Sequence, residues 1–555
     1  MHDQIYLFYF RFMKKTLLLN FALIVVFSTF YSCKNNKDNA NVSRATGWRI
    51  NDPNGYFNYN TKYTEQPTPP GMTFVEGGTF TKGSVQDDVM HDWNNAPSQQ
   101  HVQSFYMDET EVTNKMYLEY LEYLKTVFDP NDPNFRNIYN GALPDTLVWR
   151  NRLGYNEVMV NNYLRHPAYG EYPVVGVNWI QAVEFAKWRT DMVNQLFLEK
   201  NGYLTKGARQ EARSADSLFS TQTYLNAPSL VYGGDTDKLQ GRRRSRKDTL
   251  PSYASQSSGV LSPEYRLPTE VEWEFAAVGL SEIRLYNNYL GRKKYPWTGS
   301  STRSLKRSNR GDQLANFKQG KGDYGGIAEF SDDGADITAK VKSFPPNEYG
   351  LYDMAGNVSE WVADVYRPIV DDKMNDFNYY RGNVYYKNMI GKDGKVVLIT
   401  PQTIAYDTLS NGRIVARNLP GEIAQVPING NDVYLRNNFT ESDNRDYNDG
   451  DKMSSRYYRA MNEGRRMYNS PENVSKSDSL GNFTPSYDDS NARTTLISNE
   501  ARVYKGGSWK DRAYWLDPSQ RRFFPQDMAT DYIGFRLAMS RVGAKTKSKR
   551  KVARK

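Results

Sequence analysis

The spacing of apolar residues along the chain divides it into short two-fold patterns and three helical ones. Met72 to Lys82 (MTFVEGGTFTK) alternates apolar and polar positions around Gly77-Gly78, which predicts a hairpin, and His101 to Met107 predicts a further strand. At Thr113 the period changes: Met116, Tyr117, Tyr120, Leu121 and Leu124 share one helical face, with Thr113 placed to cap it. The acidic residues Asp108, Glu109 and Glu111 just before it suit the positive end of a helix. Tyr172 to Trp179 reads as a short buried strand that delivers Asn178 as a second N-cap. Ala182, Val183, Phe185, Ala186, Trp188 and Met192 then follow at helical spacing. Thr269 and Glu272 form a capping box at a third helix, with Val271, Phe275 and Ala276 as its core contacts.

Between these elements the patterning fails. Residues 128–172 predict an irregular insertion, and residues 193–263 a polar, basic stretch on the surface, with the run Arg242 to Lys247 an exposed loop. Val362 to Ala501, rich in Asn, Asp, Tyr and Gly, predicts coil and short strands, an insertion centred on 365–500. Order resumes at Arg502 to Trp509 and closes at Gly534 to Leu537. Composition sharpens the picture: 39% hydrophobic residues can build a core, and 41 tyrosines amid Asn, Asp, Gly and Pro suit a loop-rich α+β body better than a helix bundle.

The first 32 residues read as an export signal, with Met13 as a possible true start, Lys14-Lys15 as its positive end and Thr16 to Phe30 as its apolar run. Phe30-Tyr31-Ser32-Cys33 resembles a bacterial lipobox, so Cys33 is expected to be the acylated first residue of the mature chain, anchored to a membrane by its lipid; residues 33–70 would be tether and leading segment. Cys33 is also the only cysteine, which excludes an internal disulfide and any cysteine-pair chemistry. The net charge of +9 misleads. The signal carries +2 and residues 541–555 carry eight cations with no anion, which leaves the body near neutral. That tail, through Lys545, Lys547, Lys549, Arg550 and Lys551, suits acidic lipid headgroups, cell-wall polymers or an acidic protein, and an exported chain argues against nucleic acid.

One stretch gathers oxygen ligands. Asn347 to Trp361 places Asp353, Asn357 and Glu360 within eight residues, in a segment too rich in Gly and Asn for a regular helix. It reads either as a hydrogen-bonded turn or as a coil that offers carboxylate, amide and carbonyl oxygens to a hard cation such as calcium.

Gly77 to Phe80, Glu111 to Asn114, Pro173 to Trp179, Arg266 to Glu270, Glu272 to Glu274, Asn347 to Trp361, Gly506 to Trp509 and Gly534 to Arg536 match, in order, the formylglycine-generating-enzyme (sulfatase-modifying-factor) family. The resemblance spans residues 71–540 and implies an α+β, C-type-lectin-like fold with little regular structure and long loop insertions. It also implies two structural calcium sites, one on Asn316, the Phe317 carbonyl, Asp333 and the Ala335 carbonyl, the other on Asp353, the Gly356 and Val358 carbonyls and Glu360. On that reading Glu360→Ala should cost more stability in calcium than in chelator. Oxidase members hold copper with two cysteines late in the domain, and iron-dependent relatives use a histidine cluster. This chain offers only Cys33 and the scattered His2, His91, His101 and His166, so no copper or iron and no catalytic residue is expected. The lipobox and the inserted lengths resemble the gliding-motility lipoproteins of Bacteroidetes. That implies a non-catalytic scaffold, anchored in the outer membrane and facing the periplasm, whose partners are other gliding-motility and type IX secretion envelope proteins. The alternatives are a type IX secretion core component, a calcium-dependent glycan-binding module and a metal-dependent oxidase.

Overall fold

A computed structural model of the chain describes residues 42–543 except 53, 54, 56, 58, 62, 64, 85–94, 96, 151–154, 208–214, 216, 217, 240–252, 282–292, 321–332, 336, 367–384, 410, 429–473, 478–482 and 487–499. Cys33 and the export segment, Arg242 to Lys247, and the tail residues Lys545, Lys547, Lys549, Arg550 and Lys551 lie outside the described residues. Among the described residues no helix is long and apolar enough to cross a membrane.

Two compact units are present. The smaller lies within residues 1–64 and 254–260. In it Ser43 N donates to Trp48 O, and Asn51 clasps the Tyr59 backbone with both side-chain amide atoms, leaving Trp48, Phe57 and Tyr59 exposed.

The larger unit begins with β1 (Met72–Val75), β2 (Gly78–Lys82), β3 (Ser98–Val102) and β4 (Phe105–Asp108). These make one antiparallel ribbon in continuous register, with Met72 facing Asp108, Val75 facing Phe105, Gly78 facing Val102 and Lys82 facing Ser98. Gly77-Gly78 is therefore not a hairpin turn, as the alternation predicts. A Cβ on Gly77 would lie 2.4 Å from the Val102 carbonyl oxygen, so the glycine is there for close approach of the two arms.

The three predicted caps form. Thr113 Oγ1 accepts from Met116 N at the start of α1 (Asn114–Val127), although Met116 itself is exposed. Residues 128–172, expected to be irregular, contribute α2 (Arg136–Ala142), α3 (Glu157–Asn162) and the buried Trp149 and Tyr163. Tyr172 to Trp179 is not a strand: Pro173–Asn178 are buried, but the segment's one β-bridge is Thr113–Pro173, and its other backbone hydrogen bonds go singly to separate segments. It delivers Asn178, which forms a full capping box with Gln181 at α4 (Trp179–Lys200). Residues 193–263 are not simply surface. They add α5 (Thr221–Asn226) and bury Leu198, Leu218, Phe219, Tyr224 and Tyr232, because enough apolar side chains are scattered in them to pack without a visible period. After β5 (Tyr265–Arg266), Thr269 and Glu272 exchange their two hydrogen bonds at the head of α6 (Glu270–Ser281).

Then come β6 (Ser359–Val365) and, in the long insertion, β7 (Tyr386–Asn388), β8 (Tyr406–Thr408), β9 (Ile414–Ala416), β10 (Gln425–Pro427), β11 (Val474–Ser477) and β12 (Phe483–Ser486), which make only two-stranded pairs, as a coil-and-short-strand excursion should. The chain ends with β13 (Ala501–Lys505), β14 (Arg522–Pro525), β15 (Ile533–Gly534) and β16 (Ala538–Ser540). One four-stranded sheet has the order β1-β4-β16-β5, the other β14-β13-β6-β15, so residues 501–540 complete both. Tyr117 of α1, Phe185 of α4 and Phe535 stack in the core at 5.5–6.5 Å, and Trp179 Nε1 and Trp361 Nε1 donate to the carbonyls of Val362 and Val177. The insertions meet one another: Gly141 of α2 packs on Ile414 and Val415, Tyr406 Oη donates to Asn134 O, and Thr223 Oγ1 donates to Gly421 O.

Candidate metal centre

Asn347 sets up the oxygen-rich stretch. Its Oδ1 accepts from Tyr349 N and Leu351 N, and its Nδ2 donates to Ala276 O, a self-capped turn pinned to α6. The backbone then twists through left-handed conformations at Asp353 (φ 55°), Gly356 (φ 81°) and Asn357 (φ 58°) before β6 begins. At Gly356 a Cβ would lie 2.3 Å from the Asn316 carbonyl oxygen, so two remote segments touch there.

Asn357 is the keystone. It is 1% exposed; its N donates to Asn316 O, its Oδ1 accepts from Ala339 N, its Nδ2 donates to Glu111 Oε1, and its carbonyl accepts from Trp509 N. Four segments are thus tied by one residue, two through its side chain and two through its backbone. Glu360 is fully buried and forms a fork with Arg536, Nε to Oε2 at 2.7 Å and Nη2 to Oε1 at 2.6 Å, while Trp273 Nε1 donates to Oε2 at 2.7 Å. Asp353 Oδ2 accepts from Lys342 N at 3.1 Å. Burial and the neighbouring Glu360 push the Asp353 carboxyl up to about 6 against the pull of that amide and of Arg536.

Glu111 completes the group and was not marked as a ligand by its sequence context. It has no exposure, and its Oε2 is buried with no hydrogen-bond partner. Burial, then the charge of Asp353, holds its carboxyl well above the usual range despite Arg536. Three buried carboxylates therefore share one guanidinium. Such an excess of buried negative charge with an orphaned oxygen is what a bound cation would satisfy.

At the other expected site one carboxylate joins two of the named residues. Asp333 Oδ2 accepts from Phe317 N at 3.3 Å and Oδ1 from Ala335 N at 3.1 Å, so the carboxylate draws those two residues together. Asn316 Nδ2 donates to Ile337 O at 2.7 Å, and Asn316 is joined through Asn357 and Gly356 to the first cluster. Glu360, expected as a ligand, instead has both carboxylate oxygens engaged, by Arg536 and by Trp273. Among the described residues no three His, Cys, Asp or Glu side chains already stand as a metal-holding group. The expected sets do not require one, because each contains at most two acidic side chains and otherwise uses amide and carbonyl oxygens.

Residues 58–396 match the sulfatase-modifying factor enzyme 1-like domain. The chain belongs to that family. The matched span holds both oxygen-rich clusters, and β13 to β16 complete the sheets beyond it. Within the family, the chain is 41% identical over 99 residues to the formylglycine-generating enzyme of Thermomonospora curvata, 18% of this chain and 27% of that one. It is 43% identical over 108 residues to the inactive C-alpha-formylglycine-generating enzyme 2 of Mus musculus, 19% of this chain and 28% of that one. The alignments thus span under a third of those relatives' lengths. Among solved structures, PvdO from Pseudomonas aeruginosa aligns over 84% of this chain and 94% of its own, at 14% identity and a TM-score of 0.35.

The donors of this sulfatase-modifying-factor domain, carboxylates, an amide and carbonyls, fit calcium and not a soft metal. The cysteine pair that the resemblance implies for oxidase members has no counterpart in the sequence, whose one cysteine is Cys33. Residues 506–522, late in the domain, contain no cysteine and are held instead by Arg522, whose two Nη atoms each lie 2.6 Å from an Asp511 carboxylate oxygen. His101 and His166 are both exposed and lie on separate segments, while His2 and His91 fall outside the described residues. Glu111 was legible only as part of the Glu111-Val112-Thr113-Asn114 motif, where a helix-dipole role accounted for it.

Proposed function

We propose that the chain is a non-catalytic sulfatase-modifying-factor protein, a lipid-anchored envelope scaffold of the gliding-motility type resembling GldJ, with structural calcium at the Glu111–Asp353–Glu360 centre. The observation that carries it is the single cysteine, Cys33, in a domain whose oxygen-rich loop is nevertheless complete. Thiolates are the ligands copper(I) needs, and one cysteine at the start of the chain cannot make a pair with another. A family that includes inactive members beside active enzymes makes loss of the centre an accessible outcome. Calcium, when bound, would supply charge neutralisation and cross-linking of loops. Glu111 and Asp353 would hold it, Asn316 and Asp333 the second ion, and Asn357 would keep the two sites in register. The fold then serves as a rigid body whose insertions present surfaces to other gliding-motility and type IX secretion envelope proteins. A related reading, a type IX secretion core component resembling GldK, shares every one of these features.

The test has two arms. Purified chain reconstituted with copper or iron should consume no oxygen with a cysteine-containing peptide, and robust turnover would overturn the scaffold reading. Labelling of growing cells with palmitate should mark the chain and fail with Cys33→Ala; equal labelling of both would overturn the anchor.

A further inference from the structure

The smaller unit displays three large aromatic rings that nothing in the reading above uses. Ser43 Oγ accepts from Ala45 N and Thr46 N, and Gly47 N donates to Ser43 O, so the chain reverses at once and Val42 faces Arg49 in an antiparallel bridge. Trp48 ends that turn and is 73% exposed. Asn51, left-handed at φ 63°, holds the next turn: its side chain takes both backbone atoms of Tyr59, and its N donates to Phe57 O. Phe57 and Tyr59 are 49% and 52% exposed, and their rings stack on each other at 6.1 Å. Asn60 Nδ2 donates to Ser258 O, and a Cβ on Gly259 would lie 2.6 Å from the Tyr63 ring, so residues 254–260 brace the same frame. Arg44 and Arg49 are exposed on the first turn, and residues 34–64 carry five cations against two anions.

We propose that Trp48, Phe57 and Tyr59 rest in the headgroup layer of the bilayer that holds the Cys33 lipid, an inference that relies on the lipoprotein reading. The first reason is distance. Eight residues, 34–41, separate Cys33 from the frame, and a chain of that length reaches at most about 30 Å however it runs. The Val42–Arg49 bridge brings Trp48 back beside the point where the tether joins, so its ring stays within that reach. The second reason is chemistry. Trp and Tyr favour the membrane–water boundary, where the ring meets the upper acyl chains and its polar edge stays among headgroups, and cations beside them favour anionic lipid. A glycan or a partner protein also meets aromatic rings, but neither accounts for their place beside the tether. A lipid anchor by itself sets no orientation for the unit next to it; a second contact at the same spot does.

The probe is a vesicle of phosphatidylethanolamine and phosphatidylglycerol with brominated acyl chains, mixed with the mature chain from Lys34 to Lys555, which carries no lipid. Brominated chains quench only a ring that reaches them, so tryptophan emission should fall, and Trp48→Phe should remove most of the fall. The basic tail can hold the chain to anionic headgroups by charge, but it contains no tryptophan and cannot mimic that signal. Phe57→Ser combined with Tyr59→Ser should weaken partitioning about tenfold while the chain melts as before, since exposed rings hold no core. Quenching at Trp48 seen only with the acylated chain also supports the contact, with the anchor supplying the local concentration. The proposal is overturned if neither form is quenched, or if Trp48→Phe leaves the quenching unchanged. Self-association in solution that the Phe57 and Tyr59 substitutions abolish would likewise overturn it and assign the face to a second copy of the chain. Palmitate labelling reports separately on the anchor: quenching without labelling keeps the bilayer contact and removes the lipid, and labelling without quenching does the reverse.

Discussion

Two buried charge clusters meet at the pairing of β6 with β13, and they are built on opposite principles. Around Glu360, in β6, three carboxylates face one guanidinium, and an oxygen of Glu111 has no partner. Around Glu270, in α6, the balance is even: Glu270, Glu274 and Asp364 with Lys82, Lys505 and Arg521, all nearly without exposure. There Arg521 Nε lies 2.7 Å and Lys82 Nζ 3.2 Å from Glu270, and Lys505 Nζ lies 3.1 Å from Glu274. Glu270 N donates to Asp364 and Gly83 N to Glu274, so backbone amides help satisfy the acids. Even against burial, Arg521, Lys82 and Lys505 hold the Glu270 carboxyl far below the usual range. Lys505 pairs across the sheet with Glu360 itself, so the two clusters are neighbours. One matches its acids with as many cations; the other has more carboxylates than cations.

That contrast is broken most severely at Glu270. Glu270→Ala leaves three buried cations to share what remains, and losing one partner of such a network costs about 3–5 kcal/mol. Denaturant unfolding should show this loss undiminished in chelator, since no metal enters the cluster. A loss confined to calcium-containing buffer would mean that the even cluster is not self-sufficient.

The acid-rich centre should respond next. With calcium at about a hundred times its dissociation constant, binding would stabilise the fold by about 2.7 kcal/mol, removable by chelation. Glu111→Gln keeps an acceptor for Asn357 and removes the charge. In calcium it should lose most of that stabilisation. In chelator it should melt at or above the natural chain, because the cost of burying an unpartnered carboxyl has been relieved, a gain of about 1 kcal/mol. Equal destabilisation in both buffers would refute the cation. The structure also changes what Glu360→Ala can reveal. Sequence alone led to a loss mainly in calcium, but removing Glu360 strands Arg536 and the Trp273 donor, so a large loss is now expected in chelator as well. Glu111 is the discriminating position.

Acidity separates the clusters further. Burial, then the charge of Glu270, pushes the Asp364 carboxyl up to about 7, well above its value in an unfolded chain. The native state therefore binds a proton that the unfolded state has released, and this part of the stability is present at about pH 4 and lost as pH rises through 7. Asp364→Asn, which retains an acceptor for Glu270 N, should flatten the pH dependence of stability across that range by an amount on the order of 4 kcal/mol. An unchanged slope would show that Asp364 is ionised in the native state throughout.

What could be read from the sequence follows the range of the interaction. Thr113, Asn178 and the Thr269–Glu272 box were legible because a cap is satisfied within three residues of itself. Gly77 misled because its partner, Val102, is 25 residues away, and a glycine needed for close approach has the same local look as one needed for a turn. The irregular insertions hid real helices and core residues for a similar reason: α2 is shaped by β9, some 270 residues later. At the carboxylate cluster the contiguous loop Asp353 to Glu360 was visible, whereas the link from Asn357 to Glu111 and the Arg536 fork span 246 and 176 residues and leave no local pattern. Family resemblance bridged part of that distance, since it places ligands in order without saying what else touches them.

The smallest effect belongs to the most legible feature. Thr269 Oγ1 accepts from Glu272 N at 3.2 Å, and Glu272 Oε2 accepts in return from Thr269 N at 2.9 Å. This box starts the helix that carries Glu270 and Glu274 into the even cluster, one and five residues on. Thr269→Ala removes one of its two hydrogen bonds and should cost about 1 kcal/mol. The loss should be alike with calcium and with chelator, and alike at pH 5 and pH 8, because neither the ion nor Asp364 is touched. A cost several times larger would mean that the cap positions the cluster as well as the helix, and the double variant with Glu270→Ala would then fall well short of additive.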